Sequence, residues 1–414
     1  MKKIMSVIVS FTILLSLFSL SGCNQQFSTD TFVFAGSQYN TKVMEIEVKN
    51  ETIASFDVLK SCDNLTTLII ENCKIQDFSE LSNLTGLKKL TLNGVGLSDI
   101  SPLCNLTELQ TLSVSNNDIS DIKKIAALKK LTYLDIGKNP VDDISSLAAL
   151  GRLEVLYADE TKISDISSID GLTGLEELYL SYNDIMGFSA VSSLENLKIL
   201  DLASSGLSGL GILENLIDLT ELYIGENPDI KDFSVLSKLE KLETLYMESN
   251  AVTDVSMLEK LPGLKVLYLT NDSVKDLSPL YSIKTLEKLN IEGNYVVSKE
   301  SVGDLITALP DCEVEHSNLK TAIELELKEK DEDSDSDVDD DNKKDSDSKN
   351  EKSSDEDSEA EKTISSDTVS SANNGSDNST DSEEDLWEDW NDWREGYVKP
   401  EPDNYDNENE EDIW

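Results

Sequence analysis

Few residues in this chain could carry reactive chemistry. His316 is its one histidine, so triads and dyads that need an imidazole base have none in the main body, and a histidine-rich metal site is excluded. None of the five cysteines, Cys23, Cys62, Cys73, Cys104 and Cys312, forms a CxxC pair, which leaves zinc and redox motifs unsupported. Carboxylates are the abundant reactive group, with 82 acidic against 35 basic side chains and a net charge of −47. That sign opposes nucleic-acid binding, since duplex affinity comes mainly from Lys and Arg neutralising phosphates. It keeps carboxylate acid–base chemistry open on composition alone, and Glu177 and Glu221 are the side chains on which such an enzyme would depend. Nothing in the sequence requires a cofactor or a metal. Binding is favoured over catalysis.

The residues that point to binding are aromatic. Tyr157, Tyr179, Tyr223, Tyr246 and Tyr268 recur in one register, with Tyr133 and Tyr182 in adjacent registers. Carboxylates surround them: Glu154, Asp159, Glu160, Glu176, Glu177, Glu221, Glu226, Glu243 and Glu248. Tyrosine combines a large rigid contact area with a hydroxyl and is over-represented among interface hot spots. It also has high strand propensity, and rings stacked across strands stabilise their neighbours, so the column has a purely structural reading too. On the functional reading the rings face solvent, and Tyr223, Tyr246 and Tyr268 could all become alanine without disturbing the fold. A partner for such a surface is basic or sugar-like.

These registers belong to a longer repeat that must position them. From Leu65 the chain reads Leu65, Leu68, Ile70, Ile75, Phe78, Leu81 and Leu84; a shift of 22 gives Leu87, Leu90, Leu92, Leu97, Ile100, Leu103 and Leu106. The frame continues from Leu109 to Leu219, gains one residue near Pro228, and resumes at Leu242, Leu264 and Leu286. Val43, Ile46, Val48, Ile53, Phe56 and Leu59 fit a first unit, which makes twelve. Each opens LxxLxL, the alternation of a short strand with one buried face. Eight residues after the first Leu stand Asn117, Asn139, Asn183, Asn227, Asn250 and Asn294. There the chain leaves the strand, and a buried side-chain amide satisfies backbone groups that lack ladder partners.

This pattern resembles the leucine-rich repeat family, in particular the 22-residue bacterial units of internalin-like surface proteins. The resemblance covers roughly residues 43–316. It implies an α/β solenoid, with a curved parallel sheet on the concave face and short helical or 3-10 turns on the convex face. The concave face is the family's usual binding surface, which implies protein–protein recognition or adhesion. The sequence departs from the pattern at Glu51, Cys73, Val95, Thr161, Ser205 and Asp272, which replace Asn. Four residues past the Asn position, Asp77, Asp99, Asp121, Asp143, Asp165, Asp232, Asp254 and Asp276 precede apolar residues; these read as N-caps of the turns, not as cation ligands. Eleven steps between stacked strands give a sheet on the order of 50 Å long. Its ends need capping: Phe32-Val33-Phe34 and Tyr39 read as a strand before the first unit, and 302–314 as a closing helix and strand.

The flanks differ in kind. Lys2 and Lys3 precede an apolar run from Ile4 to Leu20, followed by Leu20-Ser21-Gly22-Cys23. That looks like a bacterial lipoprotein signal, with residues 1–22 removed, Cys23 lipidated and the mature protein held outside the cytoplasmic membrane. Residues 23–42 then form an anchor linker and N-terminal cap, and 43–316 the repeat domain. Residues 317–414 read as a disordered acidic tail; 331–414 alone hold 33 acidic and seven basic side chains. Trp387, Trp390 and Trp393, inside a motif at 386–397, recur every third residue and would share a helix face, a candidate contact for a second partner. Cys62 and Cys73 read as small buried groups, with a bridge between them open in an exported protein. The whole reads as a lipid-anchored recognition protein; the alternative is a structural or spacer protein of the cell envelope with no specific ligand.

Overall fold

The computed structural model describes residues 30–294 and 297–316, which fall within the first of two compact units, residues 1–327. Cys23, the segment 1–22 expected to be a leader, residues 317–414 and the tryptophan motif lie outside the described residues. Thirteen strands form one sheet, from Glu45–Lys49 to Glu313–Glu315, each paired in parallel with the strand of the adjoining unit, while Thr52–Ile53 and Lys74–Ile75 pair with each other apart from it. The twelve repeats supply twelve strands, and Glu313–Glu315 adds a thirteenth at the C-terminal edge.

Period-two burial explains the strands. In Thr67–Glu71 the burial alternates, with Leu68 and Ile70 fully enclosed. Strands of the later units are three residues long, such as β11 Glu177–Tyr179, β13 Glu221–Tyr223, β14 Thr244–Tyr246 and β15 Val266–Tyr268. After the strand of each of the first eleven units comes a 3-10 turn, for example Ser145–Ala149 with Leu147 buried. Every unit therefore inserts several Leu, Ile or Val side chains into one continuous core. A Leu→Ala change in such a core costs roughly 2–5 kcal/mol.

The aspartates act one residue earlier than an N-cap. Asp143 Oδ1 accepts from the Ser145 N–H, and Asp77, Asp99, Asp165, Asp232, Asp254 and Asp276 make the same bond to the serine two residues on, as Asp121 does to Lys123. The residue between, such as Ile144, occupies the backbone cap position. The turn is an Asx-type turn, which satisfies the first free donor of the 3-10 segment. The accepted N–H and the serine hydroxyl hold Asp143 and its equivalents at 77, 99, 165, 232, 254 and 276 below the usual carboxylate range.

Both ends of the core are closed. A β-hairpin, β1 Thr31–Phe34 with β2 Ser37–Asn40, precedes the first unit, and Phe34 packs on Phe56 with ring centroids 5.9 Å apart. At the other end, α1 Lys299–Ala308 begins at Ser298, whose hydroxyl caps the Ser301 N–H, and buries Val302 and Leu305. No helix among the described residues is long and apolar enough to cross a membrane.

Cys62 and Cys73 are free thiols, so the bridge that an exported protein left open is not made. Cys73 instead fills an Asn position: its Sγ accepts from the Glu51 N–H at 3.4 Å and donates to the Val48 carbonyl at 3.6 Å.

Candidate functional site: the concave face

The register of the parallel sheet brings the tyrosines into line. Tyr157 pairs with Tyr179, Tyr223 with Tyr246, and Tyr246 with Tyr268 on adjacent strands. Ring centroids lie 4.0 Å apart for Tyr157–Tyr179, 4.9 Å for Tyr223–Tyr246 and 4.2 Å for Tyr246–Tyr268, all stacked. Tyr133, on the strand before, joins the first run at 5.6 Å from Tyr157. Two runs result, with Asp201 on the strand between Tyr179 and Tyr223. Tyr182 stands outside the strands, half-buried in a turn at φ +55°.

This arrangement corrects the expectation of solvent-facing rings. Tyr157, Tyr179, Tyr223 and Tyr246 are only 3, 6, 8 and 8% exposed, because each ring covers the face of the next. Sheet alternation says which side a residue leaves from; it does not report what its lateral neighbours cover. The rings form a floor, and alanine there would remove structure as well as contact.

Carboxylates edge that floor. The Tyr223 hydroxyl donates to Glu221 Oε2 at 2.9 Å and the Tyr179 hydroxyl to Glu177 Oε2 at 3.3 Å. Burial raises the pKa of Glu177, opposed by the Tyr179 bond and reinforced by the charge of Glu221. Asp135 and Asp201, both buried, accept from the N–H two residues on, those of Gly137 and Ala203. Ser113 links Asn93 and Asp135 with 2.8 Å bonds. Burial pushes the Tyr133 and Tyr246 phenols far above their ordinary value, so both are neutral hydrogen-bonding groups at physiological pH.

The rim is less uniformly acidic than the sequence implies. Lys198 pairs with Glu176 at 2.5 Å, Lys265 with Glu243 at 2.6 Å and Lys138 with Glu160 at 3.3 Å. Lys288 lies 5.4 Å from the Tyr268 ring centroid and caps that run with a cation. The column of strand positions that carries Glu177 and Glu221 contains Lys288, so the signal was present in the sequence. Glu154, Glu221 and Glu226 enter no ion pair among the described residues. Glu248 folds back over Gly225, where an added Cβ would sit 2.5 Å from its Oε1.

The described geometry defines a parallel-strand solenoid with an ordered, tyrosine-floored concave face. The sequence model of the leucine-rich repeat region matches residues 42–276, over half the chain, and the protein belongs to that family. Among solved structures, an internalin from Listeria monocytogenes is 28% identical with a TM-score of 0.61, over 68% of this chain and 85% of that one. A leucine-rich repeat protein from Leptospira interrogans is 25% identical with a TM-score of 0.61, over 66% and 72%. No curated protein matches the chain.

Proposed function

We propose that this is a lipid-anchored cell-surface protein whose concave face recognises another macromolecule, a protein that presents basic groups or a glycan. The observation that carries the reading is the stacked tyrosine floor edged by Glu177, Glu221, Glu226 and Glu248. Such a surface is already ordered, so binding loses little side-chain entropy, and its hydroxyl and carboxylate acceptors suit cations and sugar hydroxyls. Tyr133, Tyr157, Tyr179, Tyr223, Tyr246 and Tyr268 supply the floor, and Tyr182 lies on the adjoining turn.

The test is affinity capture on the full chain from secreted and surface material, with two controls. Tyr223→Phe, Tyr246→Phe and Tyr268→Phe together keep the stacks and remove hydroxyls; Glu177→Gln with Glu221→Gln removes charge. We expect a saturable ligand that loses at least tenfold in affinity with the glutamine pair and weakens as salt rises. A ligand held equally by all three proteins places recognition elsewhere. No saturable ligand at all favours an envelope spacer.

The anchor has its own check. Metabolic acyl labelling and membrane fractionation of cells that express the chain are expected to give a labelled, membrane-bound product, and Cys23→Ala is expected to abolish both. Label retained by that variant would remove the anchor.

A further inference from the structure

The column of buried asparagines contains one residue that cannot do the same work as an anion. Each Asn bridges two units. Asn250 Nδ2 donates to the carbonyls of Ile224 and Met247, both at 2.9 Å; Asn294 Nδ2 donates to Leu269 at 2.6 Å and Ile291 at 3.1 Å. Their Oδ1 atoms accept from the unit before, as when Asn294 takes the Val274 N–H at 3.1 Å.

Asp272 occupies this place between Asn250 and Asn294 and is 6% exposed. Its Oδ1 acts like the asparagine oxygen, accepting from the N–H groups of Asn250 at 3.0 Å and Val252 at 2.9 Å. Its Oδ2 takes the place of the amide nitrogen, buried and without a donor. By the ladder's register, the groups that an amide here would reach are the carbonyls of Leu269 and Met247. A carboxylate oxygen set against carbonyl oxygens is repelled, whereas a carboxylic acid donates.

The surroundings favour the neutral form. Glu248, on the unit before, also buries an unpartnered oxygen, Oε2, and Glu226 and Asp201 stand behind it. No ion pair among the described residues engages Asp272 or Glu248. Burial pushes both up to about 7; for Glu248, the charges of Glu226, Asp272 and Asp201 add to it, and for Asp272 the accepted backbone bonds oppose it.

We propose that Asp272 is a proton switch built into the solenoid: as a carboxylic acid it replaces the asparagine amide, and loss of its proton to solvent loosens the step between the units of β14 and β15. This stands independently of what the concave face binds. The sign follows from a proton held more tightly in the folded chain than in the unfolded one. The stabilisation is complete below the ordinary aspartate value, falls as pH rises through about 7, and is absent above.

The test is urea unfolding of the full chain between pH 4 and pH 8 for wild type, Asp272→Asn and Glu248→Gln. Wild type and Asp272→Asn are expected to unfold alike near pH 4. By pH 8 the unfolding constant of wild type exceeds that of Asp272→Asn by tenfold or more. Glu248→Gln lacks one like charge, which makes Asp272 easier to ionise, and is expected to shrink the wild-type loss and to end it at lower pH. Hydrogen exchange on wild type alone, corrected for the intrinsic pH dependence, reads the same event: protection falls with pH across 244–274 and holds across 109–140. Parallel curves for wild type and Asp272→Asn, or equal protection loss in both segments, would overturn the proposal. An Asp272→Asn chain that fails to fold would overturn it as well, because the amide is the group the acid imitates.

Discussion

Asn227→Ala is expected to destabilise the solenoid by about 4 kcal/mol, the cost of two buried backbone N–H groups left without an acceptor at roughly 1–3 kcal/mol each, since the carbonyls it serves keep other donors. Asn227 Nδ2 donates to the carbonyls of Leu202 at 2.9 Å, Ile224 at 3.1 Å and Gly225 at 3.0 Å. Its Oδ1 accepts from the N–H groups of Ser205 at 3.3 Å and Leu207 at 2.8 Å. Alanine removes all five bonds, and the site is 1% exposed, so water replaces few of them. Urea unfolding, with the slope compared as well as the midpoint, measures the loss. A change under about 1 kcal/mol would mean that water restores these bonds.

The second large effect concerns the aromatic floor. Tyr246→Ala is expected to cost about 3 kcal/mol, at the low end for a large aromatic truncated at a covered site, because its ring is stacked on both Tyr223 and Tyr268. Tyr246→Phe keeps both stacks and loses a hydroxyl bonded to Tyr268, for about 1 kcal/mol. Thermal unfolding of the two variants separates them. If alanine and phenylalanine cost the same, the hydroxyl carries the stability. Any binding study with alanine here therefore reads fold and contact together, and phenylalanine is the informative control.

How much of this was legible in the residues follows from which physics is local. The leucine register fixes strand, turn and core, since period-two burial and a 22-residue shift are one-dimensional signals; Leu68, Leu90 and Leu112 are buried as the pattern requires. The asparagine position was readable too, because a chain that leaves a strand must satisfy its backbone. The aspartates lie one residue before the cap position that their sequence spacing suggests, because an Asx-type turn and an N-cap favour the same short acidic side chain. Burial of the tyrosine rings was not readable, because lateral cover depends on how like residues on adjacent strands tilt. The departure at Asp272 was visible as a break in a column. Its protonation needed the direction of one oxygen.

The asparagine column also makes the repeats unequally bound to one another. Where the amide is present, as at Asn139, three donated bonds cross or close the joint. At Ser205 the donor is a hydroxyl with a single bond, to Leu202, and at Cys73 a thiol at 3.6 Å. In a linear array whose units contact only their neighbours, such differences set where melting halts. Under tension or heat the protein is a chain of graded links, and the boundaries at Cys73 and Ser205 are expected to loosen ahead of those at Asn117 and Asn139.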